Sequence, residues 1–325
     1  MQIKHRFSYW ARILQNYLTG KSQISFWHEK PEVNANFTKD KLGEYYMTFR
    51  DKAGYKGPFD GKGIPMLDYG RKIGKQCNPI AISQYGLAHY NVFKKTGLKK
   101  NFEVFIKQAD WLVKSLELNG FGVKVWMHHF DWDYFKKLEN PWYSGLAQGQ
   151  AISTLARAYS ETKEIKYLEA ANIAFDSLLK NIDNGGVSYV DKESNIWIEE
   201  YITNPPTHIL NGFIWALWGV FDYYLLTGNN KAIDFYNACL KTIKKNLYRY
   251  DIGFWSLYDL APTKIKPISS HFYHKLHVVQ LKILYILTGD IFFNDYAKKW
   301  EKYQNNLLFN YISSIYKVIF KIFYY

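Results

Sequence analysis

The amino-acid sequence predicts a mainly α-helical protein, an incomplete (α/α) toroid of about four helical hairpins. Two observations lead to this prediction: a Thr-Gly or Thr-Lys junction recurs four times, and each junction lies between two segments with helical periodicity. A third is the Gly-containing turn between successive pairs, which predicts inter-pair β-hairpins. Repeated helical hairpins pack side by side into a ring whose inner helices and loops converge on one mouth.

The junctions recur at spacings of 66, 65 and 61 residues, beginning at Thr96, Thr162, Thr227 and Thr288. In three of them glycine follows the first helix, where a left-handed C-cap residue is needed. The first helices of the pairs are predicted at 79–95, 145–161, 207–226 and 272–287. The second helices are predicted at 100–118, 165–181, 231–247 and 291–304.

The first pair is expected to begin at Pro79 after Asn78, since proline at the first helical position loses no donor that the helix uses. Before it we expect a helix near residues 6–18, a small β element with a strand at 44–50, and a long turn-rich loop. The predicted organisation is therefore an N-terminal region at 1–77, a toroid at 78–305 and an aromatic C-terminal tail at 306–325.

The composition limits the classes of binding partner and the cellular compartment that we expect. The 325 residues carry a formal net charge of +13 and 19% aromatic side chains, which favours an anionic and sugar-like partner. Two cysteines exclude a disulfide scaffold and a Cys-rich zinc site. With no apolar leader pattern at the N-terminus and no window of about 18 uncharged apolar residues, we expect a cytoplasmic protein.

Several familiar chemistries lack their motifs. No Walker loop, GxGxxG after a strand, GxSxG elbow or HExxH occurs, so nucleotide binding and serine hydrolysis are unsupported. Nucleic-acid binding has only the net charge in its favour. His274 and His277 are i, i+3 neighbours, but no third ligand follows in a zinc-enzyme pattern, which favours a core role. We expect no metal and no cofactor.

Polar and glycine residues concentrate at one end of the predicted inner helices. Gly86 and Gly149 lie inside helices, where glycine costs about 1 kcal/mol against alanine and usually marks the close approach of another group. Glu199 and Glu200 follow the strand-like residues 196–198. Adjacent strand residues point to opposite faces, so only one of the two carboxylates can face a given cleft.

Five ordered blocks resemble the D-glucuronyl C5-epimerases. NPIAISQYGLAHY at 78–90 is similar to their YPIQIAQYGLSHY, and WYSGLAQGQAISTL at 142–155 to WYSAMAQGQGISTL. WIEEYITNPPTHILNG at 197–212 resembles WYEEYPTTPSSFVLNG, and 256–260 matches SLYDL. YHKLHVVQL at 273–281 resembles YHTTHINQL.

The resemblance implies an isomerase that inverts C5 of D-glucuronate to L-iduronate within a heparosan-like polysaccharide, without nicotinamide. It places the catalytic residues at Glu200, Tyr201, Tyr258 and Tyr273. The expected substrate-binding residues lie on the neighbouring motifs and are Tyr69, Arg71, Gln84, Tyr85, His89, Gln148, Gln150, Asn211, His274 and His277.

Two departures from the family pattern bear on the substrate. The arginine that follows SLYDL in the family is Ala261 here, which removes one contact to a substrate carboxylate, and the β-rich region before the helical domain is reduced. The nearby cations that could replace this contact are Arg71, Lys72, His128, His129, His271 and His274.

The expected chemistry leaves roles and rivals open. H-5 is α to a carboxylate, so its removal needs a stabilised enolate, and epimerisation needs a second group on the opposite face. The residues do not say which tyrosine serves which face. A uronate lyase shares the first step, a glycosidase would use two carboxylates such as Asp131, Asp133 or Glu200, and a glycan-binding scaffold would use none of these.

The aromatic tail at 307–325 has Lys317 and Lys321 as its charged side chains. It is either a last helix packed against the toroid or a homodimer partner, or an interfacial anchor whose lysines reach anionic lipid at the inner membrane. We expect the whole protein to bind an acidic polysaccharide and not a nucleic acid.

Overall fold

The structure of the protein is a computed structural model. It describes residues 26–27, 29–70 and 72–324. The helix predicted near residues 6–18 and the predicted binding residue Arg71 lie outside these ranges.

Four helical pairs make up most of the described chain. A short helix, α1 (Arg50–Ala53), precedes them. The pairs are α2 (Pro79–Thr96) with α3 (Lys99–Lys114), α4 (Gly145–Thr162) with α5 (Ile165–Leu179), α6 (Leu210–Thr227) with α7 (Asn230–Asn246), and α8 (His271–Thr288) with α9 (Ile291–Asn305). The inner helices α2, α4, α6 and α8 contact one another in chain order, which gives the predicted incomplete (α/α) toroid. A last helix, α10 (Leu307–Tyr324), follows the fourth pair.

Short antiparallel strands connect the pairs. The strands are β1 (Met66–Asp68), β2 (Lys75–Cys77), β3 (Leu116–Leu118), β4 (Lys124–His128), β5 (Trp142–Tyr143), β6 (Ser188–Val190) and β7 (Ile196–Ile198). Strand β1 pairs with β2, β4 lies between β3 and β5, and β6 pairs with β7. Ser188 faces Ile198 across the last pair, which fixes the register of β7 just before the two glutamates.

The junctions adopt the predicted left-handed caps. Gly97, Gly228 and Gly289 end α2, α6 and α8 with φ of 70°, 65° and 72°. Lys163 takes the same conformation after α4, with φ of 62°. Asn78 caps α2 by accepting hydrogen bonds from two backbone amides, and Pro79 is the first helical residue, as the sequence predicts.

Glycines allow two inner helices to approach closely. A Cβ added at Gly149 of α4 would lie 2.3 Å from the Cα of Ala216 on α6. A Cβ at Gly219 of α6 would lie 2.0 Å from the Gly149 carbonyl oxygen. The prediction that Gly149 marks a close approach is confirmed, because the first half of α4 packs directly against the backbone of α6.

The strand predicted at 44–50 is wrong. The segment makes one isolated bridge, between Val33 and Met47, and Arg50 already belongs to α1. Consecutive residues Tyr45, Tyr46 and Met47 are all buried, because the segment inserts into the core instead of presenting one face to water. Tyr46 donates a 2.7 Å hydrogen bond to Asp222, which also forms a buried salt bridge with Arg157.

Two helix boundaries also differ from the prediction. The second helix ends at Lys114, since Leu116–Leu118 pairs with β4 as a strand. The fifth predicted segment begins at Leu210 and not at 207, because His208 adopts a φ of 53° that interrupts the helix.

The C-terminal tail forms a helix that packs against the toroid. Phe309 contacts the rings of Phe254 and Tyr303, and Ser314 lies 3.0 Å from the His271 imidazole. The face of α10 away from the toroid is apolar and exposed. Among the described helices, none is long and apolar enough to cross a membrane.

Candidate active site

Two adjoining cavities open at the mouth of the toroid. The outer cavity has a volume of about 570 Å³ and the inner one about 240 Å³. Trp132, Tyr201 and Tyr273 line both of them. Tyr258 belongs to the outer cavity and Glu200 to the inner one, so the structure brings together all four residues predicted to be catalytic.

Three separate elements position these four side chains. Glu200 and Tyr201 directly follow β7. Tyr258 is held by its backbone, whose N–H donates to the Pro267 carbonyl at 2.7 Å and whose carbonyl accepts from Leu210 N–H at 3.2 Å. Tyr273 lies in the first turn of α8, and its ring meets the Tyr258 ring edge-on at 4.8 Å.

The two adjacent glutamates point to opposite faces, as the strand pattern predicts. Glu199 accepts a 3.0 Å hydrogen bond from the His208 backbone and contacts the His208 imidazole at 2.5 Å. This contact holds the chain before α6. Glu200 faces the inner cavity instead. The two carboxylates therefore have separate roles, one in the scaffold and one in the cavity.

Glu200 lies in an enclosed apolar setting. Its side chain is buried, and its Oε2 has no hydrogen-bond partner in the described part of the chain. Burial raises the pKa of Glu200 to about 8; the Asp259 charge adds to this, and a hydrogen bond with Tyr201 opposes it. A Cβ at Gly212 would lie 2.1 Å from Glu200 Oε2, so the space for this carboxyl depends on glycine at 212. A carboxyl of this kind can hold or release a proton near neutral pH.

The phenols of Tyr201 and Tyr258 are protonated in the resting cavity. Burial raises the pKa of Tyr201 and of Tyr258 well above the usual value, and the neighbouring Glu200 and Tyr273 raise both further. A neutral phenol can donate a proton at once, whereas its use as a base requires positive charge nearby.

Asp259 is one of two acidic residues that line the outer cavity, the other being Asp133. Asp259 accepts a 2.5 Å hydrogen bond from Tyr134 and a 2.9 Å bond from the Ala261 backbone. Burial raises the pKa of Asp259 to about 6, and both hydrogen bonds work against that rise. This network fixes the chain that follows Tyr258.

Aromatic rings form the walls of both cavities. The Tyr69 ring packs on Phe130 at 4.7 Å, and Tyr201 packs edge-on against Tyr134 at 4.7 Å and Trp142 at 5.5 Å. Such rings offer flat apolar surfaces next to hydrogen-bonding tips, which suits the C–H faces and hydroxyls of a sugar.

Two of the predicted substrate-binding residues line the inner cavity, Tyr69 and Asn211. Seven others are buried and line neither cavity; these are Gln84, Tyr85, His89, Gln148, Gln150, His274 and His277. Several of these seven have partners inside the protein. Gln148 bonds to the backbone of Ser144 and Trp126, and Gln150 donates to Tyr45.

His274 and His277 belong to an interior network, which we call the Ser256 cluster (Ser256, His274 and His277). Ser256 Oγ lies 2.8 Å from His274 Nδ1 and 3.0 Å from His277 Nδ1, and His274 Nε2 meets the Trp300 carbonyl at 2.9 Å. Burial lowers the pKa of His274 to about 4 and that of His277 well below its usual value, so both are neutral. No group of three metal ligands occurs in the residues that the structure describes.

The expected replacements for the missing arginine do not reach the cavities. Lys72, His128, His129, His271 and His274 line neither of them, and Arg71 is not described. His128, for example, is buried in a stack on Trp142 with ring centroids 3.8 Å apart. The cationic side chains among the described lining residues are Lys317 and Lys321 of α10.

The sequence reasoning missed several lining residues, namely Trp132, Tyr134, Asp259, Lys317 and Lys321. A signal was present for the lysines: they lie four residues apart, on one face of an otherwise uncharged helix. The aromatic loop at 132–135 had no such signal, because its position depends on distant contacts such as that between Tyr134 and Asp259.

Comparison with known proteins gives one family. The model described as "D-glucuronyl C5-epimerase C-terminus" matches residues 119–302. An uncharacterized protein of Methanocaldococcus jannaschii is 33% identical over 72% of this chain and 79% of its own length. The D-glucuronyl C5-epimerase of Caenorhabditis elegans is 31% identical over 63% of this chain and 35% of its own length. Among solved structures, an unsaturated glucuronyl hydrolase specific for heparin is 13% identical, covering 93% of this chain and 82% of that one with a TM-score of 0.48.

Proposed function

We propose, from the premise that this chain belongs to the D-glucuronyl C5-epimerase C-terminal domain family, that it converts D-glucuronate to L-iduronate residues within a polysaccharide. Family membership supports carbohydrate epimerisation in general. The nematode epimerase that it matches is much longer, so the polymeric substrate and the C5 chemistry belong to the proposal.

The observation that carries the proposal is the convergence of Glu200, Tyr201, Tyr258 and Tyr273 at one mouth. They come from three separate stretches of the sequence, because only Glu200 and Tyr201 are neighbours. The inner cavity holds Glu200, the outer cavity holds Tyr258, and the other two tyrosines belong to both. A sugar at the shared mouth would thus have several ionisable groups within reach, and inversion at one carbon requires two of them, one for each face.

The reaction follows from the acidity of H-5. A base takes H-5 as a proton, and the electron pair of the C–H bond enters the adjacent carboxylate to give an enolate with two negative charges. An acid on the opposite face then returns a proton to C5. No electrons are gained or lost, so the step needs no redox partner. Stabilising the enolate is the main demand on the site.

The protonation states support the use of these groups as an acid and base pair. Glu200, with a pKa of about 8, can accept or give a proton near neutrality, while the buried phenols begin as acids. Which group acts on which face depends on the direction of the reaction.

Proton NMR of a glucuronate polymer such as heparosan, incubated with the protein in deuterated water, tests the proposal. We expect loss of the H-5 signal, appearance of iduronate signals and no new ultraviolet absorbance from an unsaturated uronate. New absorbance would identify a lyase, and release of reducing ends with H-5 intact would identify a glycosidase. Binding of the polymer with neither change would leave a glycan-binding scaffold.

A further inference from the structure

The C-terminal helix contributes to the wall of the outer cavity. Lys317 and Lys321 of α10 line that cavity together with Tyr201, Tyr258 and Tyr273. We infer that these two lysines bind the carboxylate of the uronate whose C5 is inverted. The identity of this anion rests on the proposed function. The part of the cavity wall formed by Lys317 and Lys321, which we call the positive wall, is a feature of the structure.

The placement of α10 is fixed by the segment that joins Tyr258 to α8. The Tyr324 hydroxyl accepts a hydrogen bond from Ile265 N–H at 3.2 Å, and the Tyr316 hydroxyl accepts from Lys266 N–H at 3.2 Å. Lys317 Nζ donates to the Ile268 carbonyl. The lysines are therefore attached to the same stretch of chain that positions two of the catalytic tyrosines.

The spacing of the lysines points to a shared anion. Residues four apart lie on the same face of a helix, where two like charges destabilise it. Burial lowers the pKa of Lys317 to about 8, with the Lys321 charge acting in the same direction. A carboxylate between the two ammonium groups would reverse both effects, because its charge favours the protonated lysines.

The surrounding residues leave room for this contact. Ala261, where the sequence departs from the epimerase pattern, lines the same cavity and presents a methyl group. Of the two acids that line this cavity, Asp259 is occupied by hydrogen bonds from Tyr134 and the Ala261 backbone, and Asp133 is exposed to solvent. The lysines thus supply the positive charge that the family arginine would provide at the position of Ala261. The sequence alone suggests six other cations for this role.

The position also suits the chemistry of the proposed reaction. Charge on the carboxylate grows as H-5 leaves, so fixed ammonium groups beside it bind the enolate more strongly than the starting sugar. The same charges lower the cost of ionising a nearby phenol, which burial alone makes unfavourable.

The position of the two lysines bears on the prediction that the C-terminal tail at 307–325 anchors the protein to a membrane. An anchor in which both lysines reach lipid does not fit, because they line the cavity. Contact of the exposed apolar face of α10 with a membrane or a second copy stays a prediction.

Direct binding measurements test the inference independently of turnover. The probes are a heparosan oligosaccharide and the same oligosaccharide with its carboxyls reduced to alcohols, and the method is isothermal titration calorimetry. The test variant is Lys317→Met/Lys321→Met. The control is Lys298→Met/Lys302→Met, which removes the same two charges at the same spacing from exposed positions on α9.

We expect the test variant to bind the charged oligosaccharide at least about 10-fold more weakly, the order of one lost charge-assisted hydrogen bond. Binding of the carboxyl-reduced probe and the behaviour of the control should be unchanged. If the double variant fails to fold, Lys321→Gln alone and Lys317→Arg/Lys321→Arg provide the same comparison, with weaker and retained binding respectively.

Equal binding of the charged probe by wild type and test variant would overturn the inference, as would no binding by the wild type. The proposed function fails differently. Lysine-dependent binding without H-5 exchange in deuterated water would leave the positive wall in place and reject the epimerase. Exchange by the test variant with an unchanged KM would reject the positive wall and keep the epimerase.

Discussion

The Ser256 cluster and the tyrosine-lined cavities are built from the same two stretches of chain, yet they are opposite kinds of polar region. In the cluster, Ser256 and its two histidines are buried, and Ser256 Oγ contacts the Nδ1 atom of each imidazole. Two residues on from Ser256, Tyr258 lines the outer cavity, and Tyr273 lies directly before His274. Within each stretch, residues one or two positions apart thus belong to different regions, one to the scaffold and the other to the candidate site.

The contrast teaches that contact with a cavity, and not burial, distinguishes the two regions. Glu200 is buried like the cluster, but it lines the inner cavity and its pKa is raised to about 8, whereas the three cluster residues line neither cavity. Burying an ionisable carboxyl costs folding free energy, and a raised pKa beside a cavity is typical of groups that take part in chemistry. Glu199, which is paired with His208 and lines neither cavity, differs from Glu200 in the same way.

Removing a cavity group is the largest expected effect. Tyr201→Phe, Tyr258→Phe, Tyr273→Phe or Glu200→Gln should each lower turnover by about 10²–10⁴-fold, the usual loss for an acid or base. The free energy of unfolding should change little for the tyrosine variants, since the rings stay in place. Steady-state rates and urea denaturation give the two quantities. Full turnover in all three Phe variants would show that the cavities are not the site.

Crowding Glu200 should have the next largest effect. Gly212→Ala places a methyl group where Glu200 Oε2 now lies, at 2.1 Å. The carboxyl must move, and a displacement of about 1 Å at a reacting group can cost about 10²-fold in rate. Gly120→Ala is the matched control, since its Cβ would meet nothing within 4 Å. Equal rates in the two variants would mean that the position of Glu200 does not matter.

The raised pKa of Glu200 predicts a pH dependence of stability. In the unfolded chain this carboxyl loses its proton near its ordinary pKa of 4.5, while the folded protein keeps it up to about 8. The unfolded state therefore binds fewer protons in this window, and the free energy of unfolding falls as pH rises, by at most about 1.4 kcal/mol per unit.

Glu200→Gln should remove that contribution. Relative to wild type, this variant should gain stability between pH 5 and pH 8, as measured by urea denaturation at both values. A difference between the two proteins that stays constant with pH would place the Glu200 carboxylate in a polar, solvated setting instead.

The smallest effect is expected for a substitution in the Ser256 cluster. Ser256→Ala removes the partner of two buried imidazole nitrogens and should lower the free energy of unfolding by about 1–3 kcal/mol. Turnover per folded molecule should stay close to wild type, because Ser256 lines neither cavity. A rate loss as large as that of Tyr258→Phe, in a protein that remains folded, would merge the two regions into one site.

The repeat pattern predicted most of the fold because local physics decides it. Glycine after the first helices and Pro79 after Asn78 each have a local reason, and each takes the predicted place. The segment at 44–50 failed because burial on all sides overrides strand alternation. Tertiary packing, which the local pattern does not contain, decides that segment.

The site was predicted less completely. Motif resemblance located Glu200 and the three tyrosines, which the structure brings to one mouth. It also named Gln84, Gln148 and Gln150, which are buried away from the cavities. The sequence pattern places Lys317 and Lys321 in a tail outside the toroid. It does not predict their position in the cavity, because that position depends on how α10 folds back over the segment before α8.

One measurement tests the central claim most directly: the rate of H-5 exchange into heparosan in deuterated water, followed by proton NMR, for wild type, Tyr258→Phe and Ser256→Ala. We predict exchange by the wild type and by folded Ser256→Ala, and exchange slowed by about 10²-fold or more in Tyr258→Phe. No exchange by the wild type, or equal exchange by the wild type and Tyr258→Phe, would contradict the account.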